Sequence, residues 1–269
     1  MSFLYKSFGG IFRNLTLYFK KPIIKCKKSK TARFKYVFYF TPISLFYKRR
    51  FLEGVNPMEN ENIMKTGTTT VGIMCKEGVV LAADRRATAG NLISDKKAQK
   101  IYKINDNMAL TTAGVVSDVQ LLVKLIKAEL SLKEIRTERK VNVKESVNLL
   151  AGLVYSNIRK MSMIPGISHF LFGGKDYEGF HLYDIYADGS LTKHDDYVSS
   201  GSGSVMAYGV LETLYKESMN VDEGVKLAVK CINAALQRDS ATGNGIDVMT
   251  ITKDGIKKVL EKEIKLDLQ

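Results

Sequence analysis

Residues 68–269 read as an α+β domain, a four-layer α/β/β/α sandwich with two mostly antiparallel sheets. Three observations predict it. Strand-like and helix-like segments follow the order strands, two helices, strands, two helices, strands. Short turns such as Lys76-Glu77-Gly78 and Asp188-Gly189 join neighbouring strands, which favours antiparallel pairing. The two helix pairs each carry apolar stripes, enough to cover the outer faces of two stacked sheets.

The first strand is Thr68–Met74, rich in β-branched residues, and Val79–Ala83 returns as its partner. A turn centred near Glu77 pairs positions summing to about 154, which sets Thr68 across from residues 84–86. Met108–Ala113 is a further strand. After Gly114 a long helix opens, with Ser117 as the expected N-cap, Gln120 in the capping-box position, and Leu121, Leu125, Ala128, Leu132 and Ile135 as the expected buried stripe. Asn142 with Glu145 starts a second helix, whose Val147, Leu150, Ala151, Val154 and Ile158 repeat at helical spacing. From Ile167 to Val198 the pattern is strand again, with alternation over 180–186. Past Ser200-Gly201-Ser202-Gly203-Ser204, one helix shows the stripe Met206, Val210 and Leu214. Asn220 with Glu223 then caps another, which carries Val225, Ala228, Val229, Ile232 and Leu236. Strands Ile246–Thr252 and Ile256–Leu260 close the domain around Asp254-Gly255.

Charge divides the chain. Of the net +13, residues 1–57 hold thirteen Lys/Arg against one acid, while residues 58–269 hold 28 against 27. The same first segment has 14 of the 25 aromatics and three of the four prolines, so a boundary is expected near Met58. Its longest uncharged stretch, Tyr36 to Tyr47, is twelve residues broken by Pro42, short of the roughly 20 that a membrane helix needs. No small-residue cleavage pattern follows before Lys48-Arg49-Arg50, which argues against a secretory signal. Residues 1–57 are expected to be absent from the working protein. The rival reading is a basic, aromatic arm for nucleic acid or an anionic membrane. Three widely spaced cysteines, Cys26, Cys75 and Cys231, exclude a disulfide framework and a zinc knuckle, and favour a reducing, cytoplasmic setting.

The common catalytic patterns GxGxxG, GxxxxGK[ST], GxSxG and HExxH are absent. His169, His181 and His194 fall in strand-like or turn-like context and are read as structural or solvated, so a Ser-His-Asp triad is not expected. What remains is Gly67-Thr68-Thr69-Thr70-Val71-Gly72, followed by Ala82-Ala83-Asp84-Arg85-Arg86-Ala87-Thr88, Lys100 and Thr112-Ala113-Gly114. A threonine hydroxyl is a weak nucleophile until a base sits beside it, and an N-terminal threonine carries one in its own α-amine. A free α-amine titrates near ~7.7–8.0 and lysine near ~10.4, so the amine is the better acceptor at neutral pH. It exists here only if the Gly67–Thr68 bond is cut.

These motifs, with Ser200-Gly201-Ser202-Gly203-Ser204, Val221-Asp222-Glu223-Gly224 and Gln237-Arg238-Asp239-Ser240, make residues 68–269 similar to the β-type subunits of archaeal proteasomes, which are N-terminal-nucleophile hydrolases. The resemblance implies a threonine endopeptidase with the N-terminal-nucleophile hydrolase fold, made as a precursor with a short propeptide at 58–67 and freed by self-cleavage between Gly67 and Thr68. Thr68 is then the nucleophile, Asp84 and Lys100 the acid and lysine beside it, and Gly114 the oxyanion donor; the Thr68 amine is the base if Asp84 keeps Lys100 charged, and Lys100 if burial dominates. Ser202, Asp239 and Ser240 lie in motifs that support the N-terminus. Two residues past Ser240 the family often has serine; Thr242 stands there. Ala87, Ala98, Thr112, Val116 and Gln120 would line the specificity pocket and Thr88 would bind substrate backbone, a small neutral lining that favours cleavage after apolar residues. The implied partners are proteasome α subunits, other β subunits in a seven-membered ring, a regulatory unfolding ATPase, and protein and peptide substrates. No cofactor, metal, nucleic acid or membrane is implied. A catalytically silent ring subunit is the second alternative.

Overall fold

The computed structural model describes residues 67–264; the expectations for residues 1–57 and for 58–66 lie outside them. A hairpin opens the described chain, β1 (Thr69–Cys75) turning into β2 (Gly78–Asp84). Its register sums to 153, one less than expected, because only Lys76 and Glu77 form the loop. Three short strands follow: β3 (Ala87–Ala89), β4 (Leu92–Asp95) and β5 (Ile101–Lys103). Then come β6 (Met108–Gly114), helices α1 (Val116–Thr137) and α2 (Val143–Ile158), and strands β7 (Ser168–Asp176), β8 (Gly179–Ile185), β9 (Leu191–His194) and β10 (Tyr197–Gly201). Helices α3 (Ser204–Leu214) and α4 (Val221–Arg238), with strands β11 (Gly245–Thr252) and β12 (Gly255–Glu263), complete it.

The strands sort into two five-stranded sheets, ordered β10-β1-β2-β11-β12 and β5-β6-β7-β8-β9, beside the ribbon β3-β4. All pairings are antiparallel. Strand residues alternate between two covered faces. Val79 and Leu81 of β2 pack between the sheets with Leu171 and Leu182, while Val80 and Ala82 face a core shared with α3 and α4. Phe170 and Phe172 of β7 face the core under α1 and α2 instead. Apolar contacts on both faces explain why β2 is wholly buried and why β8 is buried from His181 to Ile185 despite its alternating sequence. The four expected layers are all present. Gly72 lets the sheets meet, since a Cβ there would stand 2.8 Å from the side chain of Leu182.

Two helix expectations need correction. In α1 the buried residues are Val119, Leu122, Val123, Ile126 and Leu130, whereas Leu121, Leu125, Leu132 and Ile135 are exposed, Ile135 by 75%. The helix is apolar on two sides, and periodicity alone does not say which side meets the sheet. Its N-cap is Val115, without a side-chain cap, and Ser117 sits inside the first turn. In α3 the buried pair is Ala207 and Leu211, one position on from Met206 and Val210, and Leu214 is exposed. By contrast Asn142 and Asn220 cap α2 and α4 as expected, Asn220 with both capping-box bonds. No helix among the described residues is long and apolar enough to cross a membrane.

Candidate active site

Thr68 immediately precedes β1 and is buried, its Oγ1 donating to the Gly67 carbonyl oxygen at 2.7 Å. Gly67 itself is wedged. A Cβ there would fall 1.7 Å from the Cβ of Ala241 and 3.1 Å from Ser202 Oγ. Lack of space thus requires glycine at 67. Gly67 N–H donates to Thr88 Oγ1 at 3.1 Å.

Asp84 ends β2, fully buried, and both carboxylate oxygens are occupied. Oδ1 accepts from Lys100 Nζ at 2.7 Å and from Thr69 N–H at 3.0 Å; Oδ2 accepts from Arg86 N–H and Gly243 N–H, each at 3.0 Å. Antiparallel register brings it here, since β2 runs back alongside β1. Lys100, the residue before β5, is buried too. Burial lowers the pKa of its ammonium below the ordinary lysine value, and the charge of Asp84 opposes that shift.

A second polar chain holds the nitrogen side of Thr68. Thr68 N–H donates to Ser202 Oγ at 3.3 Å, and Ser202 donates to Asp239 Oδ2 at 2.6 Å. Thr242 donates to the same oxygen at 2.5 Å. With its proton so engaged, the 2.6 Å contact between Thr242 and Thr69 runs from Thr69 Oγ1 to Thr242 Oγ1. The hydroxyl of Thr242 therefore meets Asp239, extra methyl notwithstanding. Ser240 joins differently: its side chain is exposed and its carbonyl accepts from Arg86 Nη1 at 2.7 Å. Arg86 Nε also donates to Asn244 Oδ1 at 2.7 Å, so this arginine clamps the 240–244 turn, a role the sequence reading missed.

Beside Thr68 opens a cavity of about 810 Å³. It is lined by every residue expected there, Ala87, Thr88, Ala98, Thr112, Val116 and Gln120, together with Lys100 and Gly114. Gly114 has φ +120°, and a Cβ on it would lie 2.3 Å from the Ile167 carbonyl oxygen, so only glycine fits. The lining also includes Tyr102, Asp95, Lys124 and Lys127. The two lysines follow Gln120 at helical spacing on the cavity-facing side of α1, and that spacing was the signal available for them. No cluster of His, Cys, Asp and Glu suited to a metal occurs among the described residues.

A family model, described as Proteasome subunit, matches residues 64–251, well over half of the chain. The chain belongs to the proteasome subunit family. Within it, a proteasome subunit beta of Archaeoglobus profundus is 48% identical over 198 residues, 74% of this chain and 90% of the relative. One of Ferroglobus placidus is 45% identical over 212 residues, 79% of this chain and 99% of the relative. One of Methanocaldococcus jannaschii is 42% identical over 205 residues, 76% and 89% of the two chains. This proteasome-family chain is similar to archaeal β subunits over nearly their full length, and its sandwich is the α+β architecture expected from the order of its elements. Family membership makes it a protease-type hydrolase subunit that assembles with other subunits.

Proposed function

We propose that the chain is the catalytic β subunit of a proteasome core particle, a threonine endopeptidase that cuts unfolded proteins to peptides in the cytoplasm. It frees its own nucleophile by cleavage between Gly67 and Thr68, residues 58–67 being a propeptide and 1–57 absent from the working form. One observation carries the reading. The buried Thr68 hydroxyl lies 2.7 Å from the carbonyl oxygen of the very bond whose cleavage would free its own amine, close to a buried Lys100–Asp84 pair.

In the precursor, Thr68 Oγ1 adds to the Gly67 carbonyl carbon and gives its proton to a neighbouring base. The tetrahedral adduct collapses by breaking the Gly67 C–Thr68 N bond, the nitrogen taking up a proton. Water then cuts the ester, returning the hydroxyl and leaving a carboxylate on Gly67 and a free amine on Thr68. In the mature chain that amine accepts the Oγ1 proton as Oγ1 attacks a substrate carbonyl, and later gives it to the departing amine. The Gly114 N–H receives the oxyanion, a contribution of roughly 2.7–4 kcal/mol for donors of this kind. Lys100, held by Asp84, favours loss of the hydroxyl proton. Ser202 and Asp239, with Thr242, orient the amine. The cavity takes the side chain before the cut bond.

Rings of α-type and seven β-type subunits, fed by an unfolding ATPase, would enclose this site. Intact mass of the assembled protein, measured beside peptidase activity, tests the reading: a species beginning at Thr68 is expected. An active assembled preparation that retains Gly67 would sink it.

A further inference from the structure

A polar chain crosses between the two sheets a short way from Thr68, and the chemistry above does not use it. His169 of β7 is bonded through Nε2 to Asp184 Oδ1 of β8, and through Nδ1 to Ser200 Oγ of β10 at 2.8 Å. Asp184 and Ser200 are 1% and 3% exposed beside the apolar Leu171, Leu182 and Val198, and the Tyr186 ring lies against His169 with centroids 4.7 Å apart. Asp184 and His169 belong to one sheet and Ser200 to the other. The hydrogen-bonding roles follow from the groups: a carboxylate only accepts, so Nε2 carries the proton, and in the neutral ring Nδ1 accepts from the Ser200 hydroxyl.

The placement of the two ends gives this chain a use. Ser200 stands opposite Thr70, and its successor Gly201 stands opposite Thr69 with φ +94°. A Cβ on Gly201 would lie 2.0 Å from the Thr68 carbonyl oxygen, so the backbone after Ser200 presses directly on Thr68. At the other end, Ser168 stands opposite Gly114 and His169 opposite Ala113. A Cβ on Gly114 would lie 2.3 Å from the Ile167 carbonyl oxygen and 3.1 Å from the Ser168 Cα. The backbone just before His169 thus packs directly against Gly114. The His169–Ser200 hydrogen bond therefore ties the two strands within a residue or two of the nucleophile on one side and of the oxyanion donor on the other.

We infer that His169, oriented by Asp184 and bonded to Ser200, is a positioning residue that fixes the separation of the Thr68 hydroxyl and the Gly114 N–H across the two sheets. It touches no reacting atom. The inference rests on the proposed roles of Thr68 and Gly114. Misplacement of reacting groups by about 1 Å costs on the order of 100-fold in rate, so a loosened tie between sheets acts on the chemical step more than on substrate affinity.

The test uses assembled particles carrying Ser200→Ala, Ser200→Thr and His169→Phe, each checked by mass for cleavage before Thr68. Steady-state peptide hydrolysis is measured on the cleaved fraction. Ser200→Ala and His169→Phe are expected to lower kcat about tenfold or more with KM within about twofold, a fraction of the cost of full misplacement. Ser200→Thr, which keeps the hydroxyl, should restore kcat to near the parent value. An unchanged kcat in a fully cleaved Ser200→Ala particle overturns the inference, as does a loss confined to KM or one that Ser200→Thr fails to repair. If Ser200→Ala does not assemble, Asp184→Ala decides by the same kcat criterion, since it removes the acceptor that orients the ring. A parent particle without peptidase activity would instead strike the proposed function, so the two failures are distinguishable.

Discussion

The two halves of the candidate site are held in different ways. Around Thr68 the polar groups satisfy one another: four donors on Asp84, two hydroxyls on Asp239, and glycines at 67, 114 and 201 where no Cβ fits. The cavity beside it is walled by side chains from β3, the 94–100 segment, Thr112 of β6 and one face of α1, with charge at Lys100 and where Asp95, Lys124 and Lys127 join the lining. A network in which every member is bonded to several others tolerates few changes. A wall of independent side chains tolerates many. The first half is therefore expected to govern whether the reaction occurs, and the second only which peptides react fastest.

Thr68→Ala is the change that presses hardest on this contrast. It should abolish self-cleavage, seen as retained upstream residues by mass, and lower peptide hydrolysis by at least ~10⁴-fold, as loss of a nucleophile does elsewhere. Next is Lys100→Ala, which strands the buried Asp84 and is expected to cost about 3–5 kcal/mol in unfolding free energy by denaturant titration. Lys100→Arg sharpens the same point through pH. Because burial sets the Lys100 pKa below the ordinary 10.5, the ammonium loses its proton on the alkaline side before pH 10.5. If its charge assists Thr68, kcat/KM falls as pH rises through that window. A guanidinium stays charged there, so the alkaline fall should move to higher pH in the arginine variant.

Gly67→Ala separates processing from catalysis. The added methyl meets Ala241 at 1.7 Å, so precursor cleavage should slow about 10–100-fold in a pulse-chase. The fraction that does mature keeps full activity, having lost residue 67, and Ala241→Gly should recover the processing rate. The smallest effects belong to the cavity. With fluorogenic peptides ending in Leu, Arg or Glu, Leu is expected to react fastest. Lys124→Ala should shift KM for acidic peptides by about two- to threefold, an effect that fades as salt screens an exposed charge.

The same contrast governed what could be read beforehand. Thr68, Asp84, Lys100 and Gly114 sit in strands or one residue before them, and pairing arithmetic brings Thr68 and Asp84 together without knowledge of packing. The reason for Gly67 was not legible, because it depends on Ala241, a residue distant in sequence that only the closed fold delivers. Thr242 shows the converse: a hydroxyl two residues past Ser240 meets Asp239, while Ser240 faces outward. Asn142 and Asn220 were recognisable because a cap is a local device. The stripe of α1 was misassigned because Leu121, Leu125, Leu132 and Ile135 repeat as regularly as the residues that are buried.

That outward row on α1 has a consequence for how such a chain is made. A copy on its own presents a greasy ridge to water, and contiguous apolar surface of this sort drives self-adhesion. Its solubility in isolation is consequently limited, and a copy made in surplus is drawn towards clumping or disposal.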